Sequence, residues 1–81
     1  MPVVITVKMQ SDTNVVVPNA TVKIAKGDTK VEGITDAYGQ FRHTYKLEAI
    51  FDVTADLDTL HGVTIVRLKP DQTVYKTVFI Q

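Results

Sequence analysis

The chain has no cysteine, no tryptophan, a single serine and no block of like charges. Without cysteine, neither a disulfide nor a thiolate metal site can stabilise a protein of 81 residues. Nine lysine and arginine residues balance nine aspartate and glutamate residues, so no net field attracts nucleic acid or anionic lipid. No apolar stretch approaches the roughly 18 residues that a membrane-spanning helix needs. What remains is an ordinary apolar content of 44%, which indicates a small globular domain.

Hydrophobic and polar side chains alternate over short stretches, which is the pattern of half-buried β-strands. In the first of them Val3, Ile5 and Val7 share one face, and the residues between them share the other. The same alternation, or a short apolar run, marks residues 20–24, 30–35, 41–47, 49–56, 62–68 and 73–80. The polar connection after the fifth stretch also allows one short helical turn at Leu57 and Leu60. The chain is therefore predicted to be all-β, with residues 1–81 forming one seven-stranded antiparallel β-sandwich or a small barrel.

The stretch Thr35–Phe41, TDAYGQF, is the strongest local signal. Asp36 can accept a hydrogen bond from the backbone N–H two residues on, and Gly39 can adopt a positive φ without steric cost. The chain is predicted to reverse tightly here and to re-enter the sheet with Phe41 as the first inward-facing side chain of the fourth strand. The side chains predicted to share that face are His43, Tyr45 and Leu47.

Three segments together resemble a known family of domains. Pro18–Ile24, Thr35–Phe41 and Ile50–Ala55 are similar in order and pattern to carboxypeptidase regulatory-like, transthyretin-like domains. The resemblance covers almost the whole chain, and it implies a seven-stranded Greek-key β-sandwich. Bacterial Ig-like domains and collagen-adhesin B-type repeats share much of the pattern. The chain departs from it at Glu48–Phe51, where the family has a tight Gly-Tyr before the fifth strand.

The segments Arg67–Pro70 and Lys76–Val78 resemble small lipoproteins of Bacteroidetes-type bacteria. This resemblance implies a periplasmic or cell-surface location for a bacterial cell-envelope protein, with the export signal absent from this chain. A stand-alone cytosolic domain is the alternative. The sequence alone does not separate the two.

The residue types that most often carry catalysis are sparse here. His43 and His61 fall in different predicted elements with no third ligand at a recognisable spacing. Ser11 lies in a turn without the G-x-S-x-G frame of a nucleophilic serine. Transthyretin-like enzymes that hydrolyse 5-hydroxyisourate end in Tyr-Arg-Gly-Ser, whereas this chain ends Val78–Gln81. We therefore expect no enzyme, no catalytic residue and no cofactor.

Carboxylates and one lysine raise two further possibilities. Asp52, Asp56 and Asp58 could contribute to a Ca²⁺ site, but the segment lacks the glycine and terminal glutamate of a calcium loop. A solvated acidic edge is the simpler interpretation, and no metal site is predicted. Collagen-adhesin repeats can form an isopeptide bond between a lysine of the first strand and an asparagine of the last strand, and this resemblance implies Lys8 as the lysine. That strand has no asparagine, so Lys8 is expected to be a solvent-facing charge.

The last predicted strand has large apolar groups on both faces. Tyr75 and Phe79 share one face, and Val74, Val78 and Ile80 share the other. If the valine face is the core, the two aromatic rings are exposed and form an apolar patch for a partner. Packing of both faces is the favoured interpretation, because so small a domain needs its large side chains in the core. The strand could also lie at a sheet edge, where unpaired backbone groups invite strand addition.

These observations predict a non-catalytic structural or protein-interaction module. The alternative is a ligand-binding accessory domain for glycan or peptide, although stacking platforms for a sugar would have to come from Tyr38 or Tyr75. A protein partner is expected rather than nucleic acid or a membrane, and the domain itself is expected to be a monomer.

The TDAYGQF turn gives the first testable prediction. Replacing Gly39 with valine should lower the free energy of unfolding by about 1–3 kcal/mol, because a β-branched residue resists a positive φ. Urea denaturation of the two proteins measures the difference. An unchanged midpoint would show that this glycine does not hold a left-handed conformation.

Overall fold

The computed structural model describes residues 1–46 and 48–81, and this part of the chain contains seven β-strands and no helix. The strands are β1 (Pro2–Met9), β2 (Thr21–Lys26), β3 (Thr29–Ile34), β4 (Gln40–Thr44), β5 (Ile50–Leu57), β6 (Leu60–Arg67) and β7 (Val74–Ile80). The predicted all-β fold is confirmed. The helical turn allowed at Leu57 and Leu60 is absent, because β5 and β6 are joined by a tight turn in which Asp58 has a φ of 54°. Leu47, expected beside Tyr45, lies outside the described residues.

The strands form two sheets, which stack as a β-sandwich. One has the order β4-β1-β7, and the other has the order β3-β2-β5-β6. Every neighbouring pair is antiparallel except β1 and β7, which run parallel from Val3 opposite Val74 to Met9 opposite Ile80. The wholly antiparallel arrangement that the sequence predicts is therefore wrong for this pair. No hairpin links the first and last strands, so nothing local forces them to be antiparallel.

The core lies between the sheets and is built mainly from valine and isoleucine. The side of β1 that carries Val3, Ile5 and Val7 faces inward, and all three side chains are completely buried. The other core residues are Val17, Ala20, Val22, Ile24, Phe51, Val53, Ala55, Val66, Leu68, Val78 and Ile80. Burying each Val or Ile side chain stabilises the fold by roughly 1.5–3 kcal/mol. Period-two alternation thus gives β2 and β5 one buried face each, whereas β1 also buries Val4 on its other face.

The TDAYGQF segment turns as predicted and also binds other parts of the chain. The carboxylate of Asp36 accepts hydrogen bonds from the backbone N–H groups of Tyr38, at 2.8 Å, and Gln40, at 3.1 Å. The buried hydroxyl of Thr35 donates to the carbonyl of Val17 at 2.8 Å and accepts from the N–H of Ala20 at 2.9 Å. The turn therefore fixes the connection between β1 and β2 as well as the one between β3 and β4.

Gly39 has the left-handed conformation that the sequence predicts, with a φ of 73°. It is also buried. A Cβ atom at this position would lie 2.9 Å from the backbone nitrogen of Val17 and 3.0 Å from the carbonyl oxygen of Val7. The carbonyl of Gly39 in turn accepts a hydrogen bond of 2.8 Å from Val7. Both backbone conformation and close packing thus require glycine here.

Two further glycines mark the places where one sheet approaches the other. A Cβ atom at Gly33 in β3 would overlap the ring of Phe41 in β4. The ring therefore packs directly on Gly33, where the edge strands of the two sheets lie side by side. A Cβ atom at Gly62 in β6 would overlap the carbonyl of Phe79 in β7. Beside this contact, the backbones of His61 and Gln81 exchange two hydrogen bonds of 3.1 and 3.0 Å. The two sheets therefore meet at this corner, where β6 lies against β7.

Candidate functional site

The two histidines lie in different sheets. His43 is in β4, half-buried, with its ring edge-on to Tyr45 at a centroid distance of 4.6 Å. His61 is in β6, where its side chain is exposed and its backbone bonds to Gln81. His61 lines a cavity between β6 and β7, and His43 is not part of its lining. The geometry thus does not bring the imidazoles together for shared chemistry.

The aspartates considered for calcium point outward from the second sheet. Asp52 lies opposite Ile65 and Asp56 lies opposite His61 on β6, while Asp58 occupies the following turn. Within the described residues, no three side chains of the metal-ligating types come together. These carboxylates lie on a solvated face.

The last strand shows which of its two faces is core. Val78 and Ile80 are buried, whereas Tyr75 is 73% exposed and Phe79 is 40% exposed. The favoured interpretation, in which both faces are packed, is therefore wrong. The core between the two sheets is already filled by small β-branched side chains, so the aromatic rings lie outside it.

The neighbouring strand β6 also presents large apolar side chains to solvent. Val63 is 68% exposed and Ile65 is 58% exposed, and Ile50 on the adjacent β5 is 53% exposed. Sequence reasoning missed this feature, because residues 62–68 have apolar side chains on both faces and alternation does not say which face is buried. We call Val63, Ile65, Tyr75 and Phe79 the β6–β7 surface.

The backbone of β6 is unpaired along its outer edge. The N–H and C=O groups of His61 bond to Gln81, and they therefore point away from β5. Residues two apart along a strand point the same way, so those of Val63, Ile65 and Arg67 also point away from β5. Gln81 directly follows β7, and no strand of the described residues pairs with β6 on this side. Three residues of β6 therefore have backbone groups without a strand partner, and β7 lies close beside this edge, because Val63 and Phe79 line the same cavity.

The two exposed tyrosines do not form a joint platform for a sugar. Tyr75 lies beside Val4, near the start of β1. Tyr38 precedes Gly39, whose carbonyl bonds to Val7 near the other end of β1. The two rings are therefore separated along that strand.

A cavity of about 300 Å³ lies at the end of the sandwich near Tyr45. Its lining comes from Lys26, Thr29, Tyr45, Lys46, Glu48, Ala49 and Phe51. The rings of Tyr45 and Phe51 stack at a centroid distance of 4.4 Å. The hydroxyl oxygen of Tyr45 is buried and has no hydrogen-bond partner among the described residues. Burial also raises the pKa of this hydroxyl above its ordinary value.

Comparisons with known proteins do not assign the chain to a family. No protein-family model matches it, and no curated protein matches it significantly. Among the described residues there is no helix of the length and hydropathy needed to cross a bilayer. The function is therefore inferred from the geometry of the surface.

The buried hydroxyl of Tyr45 gives a prediction about the free energy of unfolding and its dependence on pH. Tyr45→Phe should raise the free energy of unfolding by about 1 kcal/mol at neutral pH, because it removes a buried polar group that makes no hydrogen bond to any described residue. Above a pH of about 10, Tyr45 deprotonates in the unfolded chain while it stays protonated in the folded one. The free energy of unfolding of the parent protein therefore falls as the pH rises above that value. The Tyr45→Phe variant lacks this ionising group, so its free energy of unfolding should fall less over the same pH range.

Urea titrations of both proteins at pH 7 and at alkaline pH measure this. A variant that is less stable than the parent at pH 7 would show that the hydroxyl has a partner and that its burial is not a cost.

Proposed function

We propose that this protein is a non-catalytic protein-interaction module that binds its partner through the β6–β7 surface. One observation carries the proposal: four large apolar side chains are exposed on two adjoining strands next to an unpaired backbone edge. Val63 and Phe79 line one cavity between the two strands, and large apolar side chains exposed close together are typical of contact sites. The free N–H and C=O groups add directional contacts that a partner can satisfy.

The small size of the domain supports the proposal. The chain has only six aromatic side chains of the Phe and Tyr types, and Tyr75 and Phe79 place two of them outside the core on one strand. A domain near the lower limit of independent folding loses several kcal/mol of potential burial by this arrangement. Binding a partner through these rings recovers that burial.

The same proposal includes the finer fold assignment. The chain crosses between sheets four times, at β1–β2, β3–β4, β4–β5 and β6–β7, and these crossings support a Greek-key, transthyretin-like topology. We place the module in an exported or cell-envelope bacterial protein, on the lipoprotein resemblance of Arg67–Pro70 and Lys76–Val78.

A second candidate function is the binding of a small, mostly apolar ligand in the Tyr45 cavity. The stacked rings of Tyr45 and Phe51 and the unpartnered hydroxyl favour it, since a ligand acceptor would satisfy that group. The cavity volume of about 300 Å³ lies at the lower end of the range for small-molecule sites. The β6–β7 surface is the stronger candidate because it combines apolar area with free backbone groups.

Matched variants test the role of the β6–β7 surface. The protein carrying both Val63→Ser and Tyr75→Ser is compared with a Tyr38→Ser control, because Tyr38 and Tyr75 are 74% and 73% exposed but lie apart. Each is immobilised and exposed to extract from the source cells, and bound proteins are quantified by mass spectrometry. Partners retained by the parent and the control should be lost from the double variant.

Circular dichroism first establishes that all three proteins are equally folded. Equal retention of the same partners by the control and the double variant would contradict the proposed surface.

A further inference from the structure

Two cavities adjoin at the end of the sandwich where β2 ends and β5 begins. One is the Tyr45 cavity, and the other has a volume of about 520 Å³. The lining of this second cavity, which we call the Arg67 cavity, consists of Lys26, Glu48, Ala49, Ile50 and Arg67. Lys26, Glu48 and Ala49 also line the Tyr45 cavity, so the two cavities share one wall. A group held at this shared wall is therefore close to the charged side chains of both cavities.

Cationic side chains outnumber carboxylates in these linings. Lys26 and Lys46 line the Tyr45 cavity, and Arg67 lines the other one. Glu48 is the only carboxylate that the described residues contribute to either lining. It forms no ion pair within the described part of the chain, so it neutralises none of these three cations by direct contact. The linings therefore keep an excess of positive charge.

Charges outside the two linings are mixed. Lys69 is exposed in the connection that follows β6. Asp28, Asp52 and Asp71 are exposed in the turn after β2, on the outer face of β5 and in the connection before β7. This end of the sandwich as a whole therefore has no long-range positive field, and the positive excess is confined to the groups that line the cavities. Salt screens a charge least at such contact distances.

Lys26 is placed to hold a negative charge at the mouth of an apolar cavity. It is the last residue of β2 and lies on the same side of the strand as the buried Val22 and Ile24, yet it is exposed. Its aliphatic stem therefore runs along the edge of the core, while its ammonium group reaches solvent. The stacked rings of Tyr45 and Phe51 give the same cavity an apolar wall.

We propose that the Tyr45 cavity binds a small organic acid, with a single carboxylate on an apolar body about the size of one substituted ring. The body packs against Ala49, Phe51 and Tyr45, and the carboxylate meets the ammonium group of Lys26 at the shared wall. A cavity of about 300 Å³ suits a ligand of this size. An organic cation is repelled by the same lysine. This inference deepens the second candidate function and rests on it, and it does not depend on the β6–β7 surface.

The test uses the full chain, labelled with ¹⁵N, and three probes with the same body: 4-methylbenzoate, 4-methylbenzamide and 4-methylbenzylammonium. At neutral pH the carboxylate should shift the amide signals of Lys26, Thr29 and Ala49 at millimolar concentration, and the titration gives its dissociation constant. The neutral amide should bind about two- to fivefold more weakly, as expected for the loss of one exposed ion pair, and the ammonium probe should bind more weakly still.

Matched variants locate the charge that selects the carboxylate. Lys26→Gln should weaken binding of the carboxylate about two- to fivefold and leave binding of the amide unchanged. Lys23→Gln is the control, because Lys23 lies on the outer face of the same strand, and this protein should bind both probes as the parent does. Glu48→Gln should strengthen binding of the carboxylate by a similar factor. Ala49→Leu should fill part of the cavity and weaken binding of both probes. Circular dichroism first establishes that all variants are folded.

Two results would overturn the proposed ligand class. They are binding of the amide or the ammonium probe at least as tight as that of the carboxylate, and equal binding of the carboxylate by the Lys26→Gln and Lys23→Gln proteins. In either case, signal shifts at the cavity would still support the second candidate function. No shift at the cavity with any of the three probes would contradict both. Partner loss from the Val63→Ser and Tyr75→Ser protein tests the β6–β7 surface separately, so these failures are distinguishable.

Discussion

The two hydrogen bonds of the Thr35 hydroxyl are the constraint on which the rest of the structure depends. They hold the carbonyl of Val17 and the N–H of Ala20, which lie in the connection that carries the chain from the first sheet to the second. Four residues later, Gly39 contacts the same connection and accepts a hydrogen bond from Val7 in β1. One short polar turn thus fixes both chain crossings at this end of the sandwich. Because these groups are buried, losing the hydroxyl would leave backbone groups unsatisfied.

The opposite side of the sandwich is fixed by backbone contact instead. Gly62 lets β6 touch the carbonyl of Phe79, and two backbone hydrogen bonds between His61 and Gln81 join the sheets beside this contact. β6 has no ladder partner on this side, and the side chains of Val63 and Ile65 are exposed. The surface proposed for binding is therefore a direct result of how the sandwich is closed.

Local patterns in the sequence predict the features that depend on near neighbours. The alternation around Ile5 predicts that its face of the strand is buried, and the Asp36 and Gly39 pair predicts a turn with a positive φ; both are confirmed, although Val4 on the other face of the strand is buried as well. These features depend on the spacing of side chains along one strand or on hydrogen bonds within a few residues. Resemblance to a family points to two sheets, and two sheets are present.

Features that depend on contacts between sheets could not be predicted in this way. The parallel pairing of β1 with β7 joins residues about 70 positions apart, which no local pattern encodes. The need for glycine at Gly33 comes from the ring of Phe41, and the need at Gly62 comes from the backbone of Phe79. The exposure of Tyr75 was ambiguous because both faces of β7 are apolar. The exposure of Val63 and Ile65 was missed because β6 also has apolar side chains on both faces.

The most direct test of this account is the stability of a Thr35→Val protein. Valine keeps the size and branching of threonine but cannot bond to Val17 or Ala20, so urea denaturation should show a loss of about 2–4 kcal/mol. Thr54→Val, on the outer face of β5, is the matched control and should change stability by no more than about 0.5 kcal/mol. If the two variants unfold at the same urea concentration, the Thr35 hydroxyl does not hold the two sheets together, and the account of the fold given above is wrong.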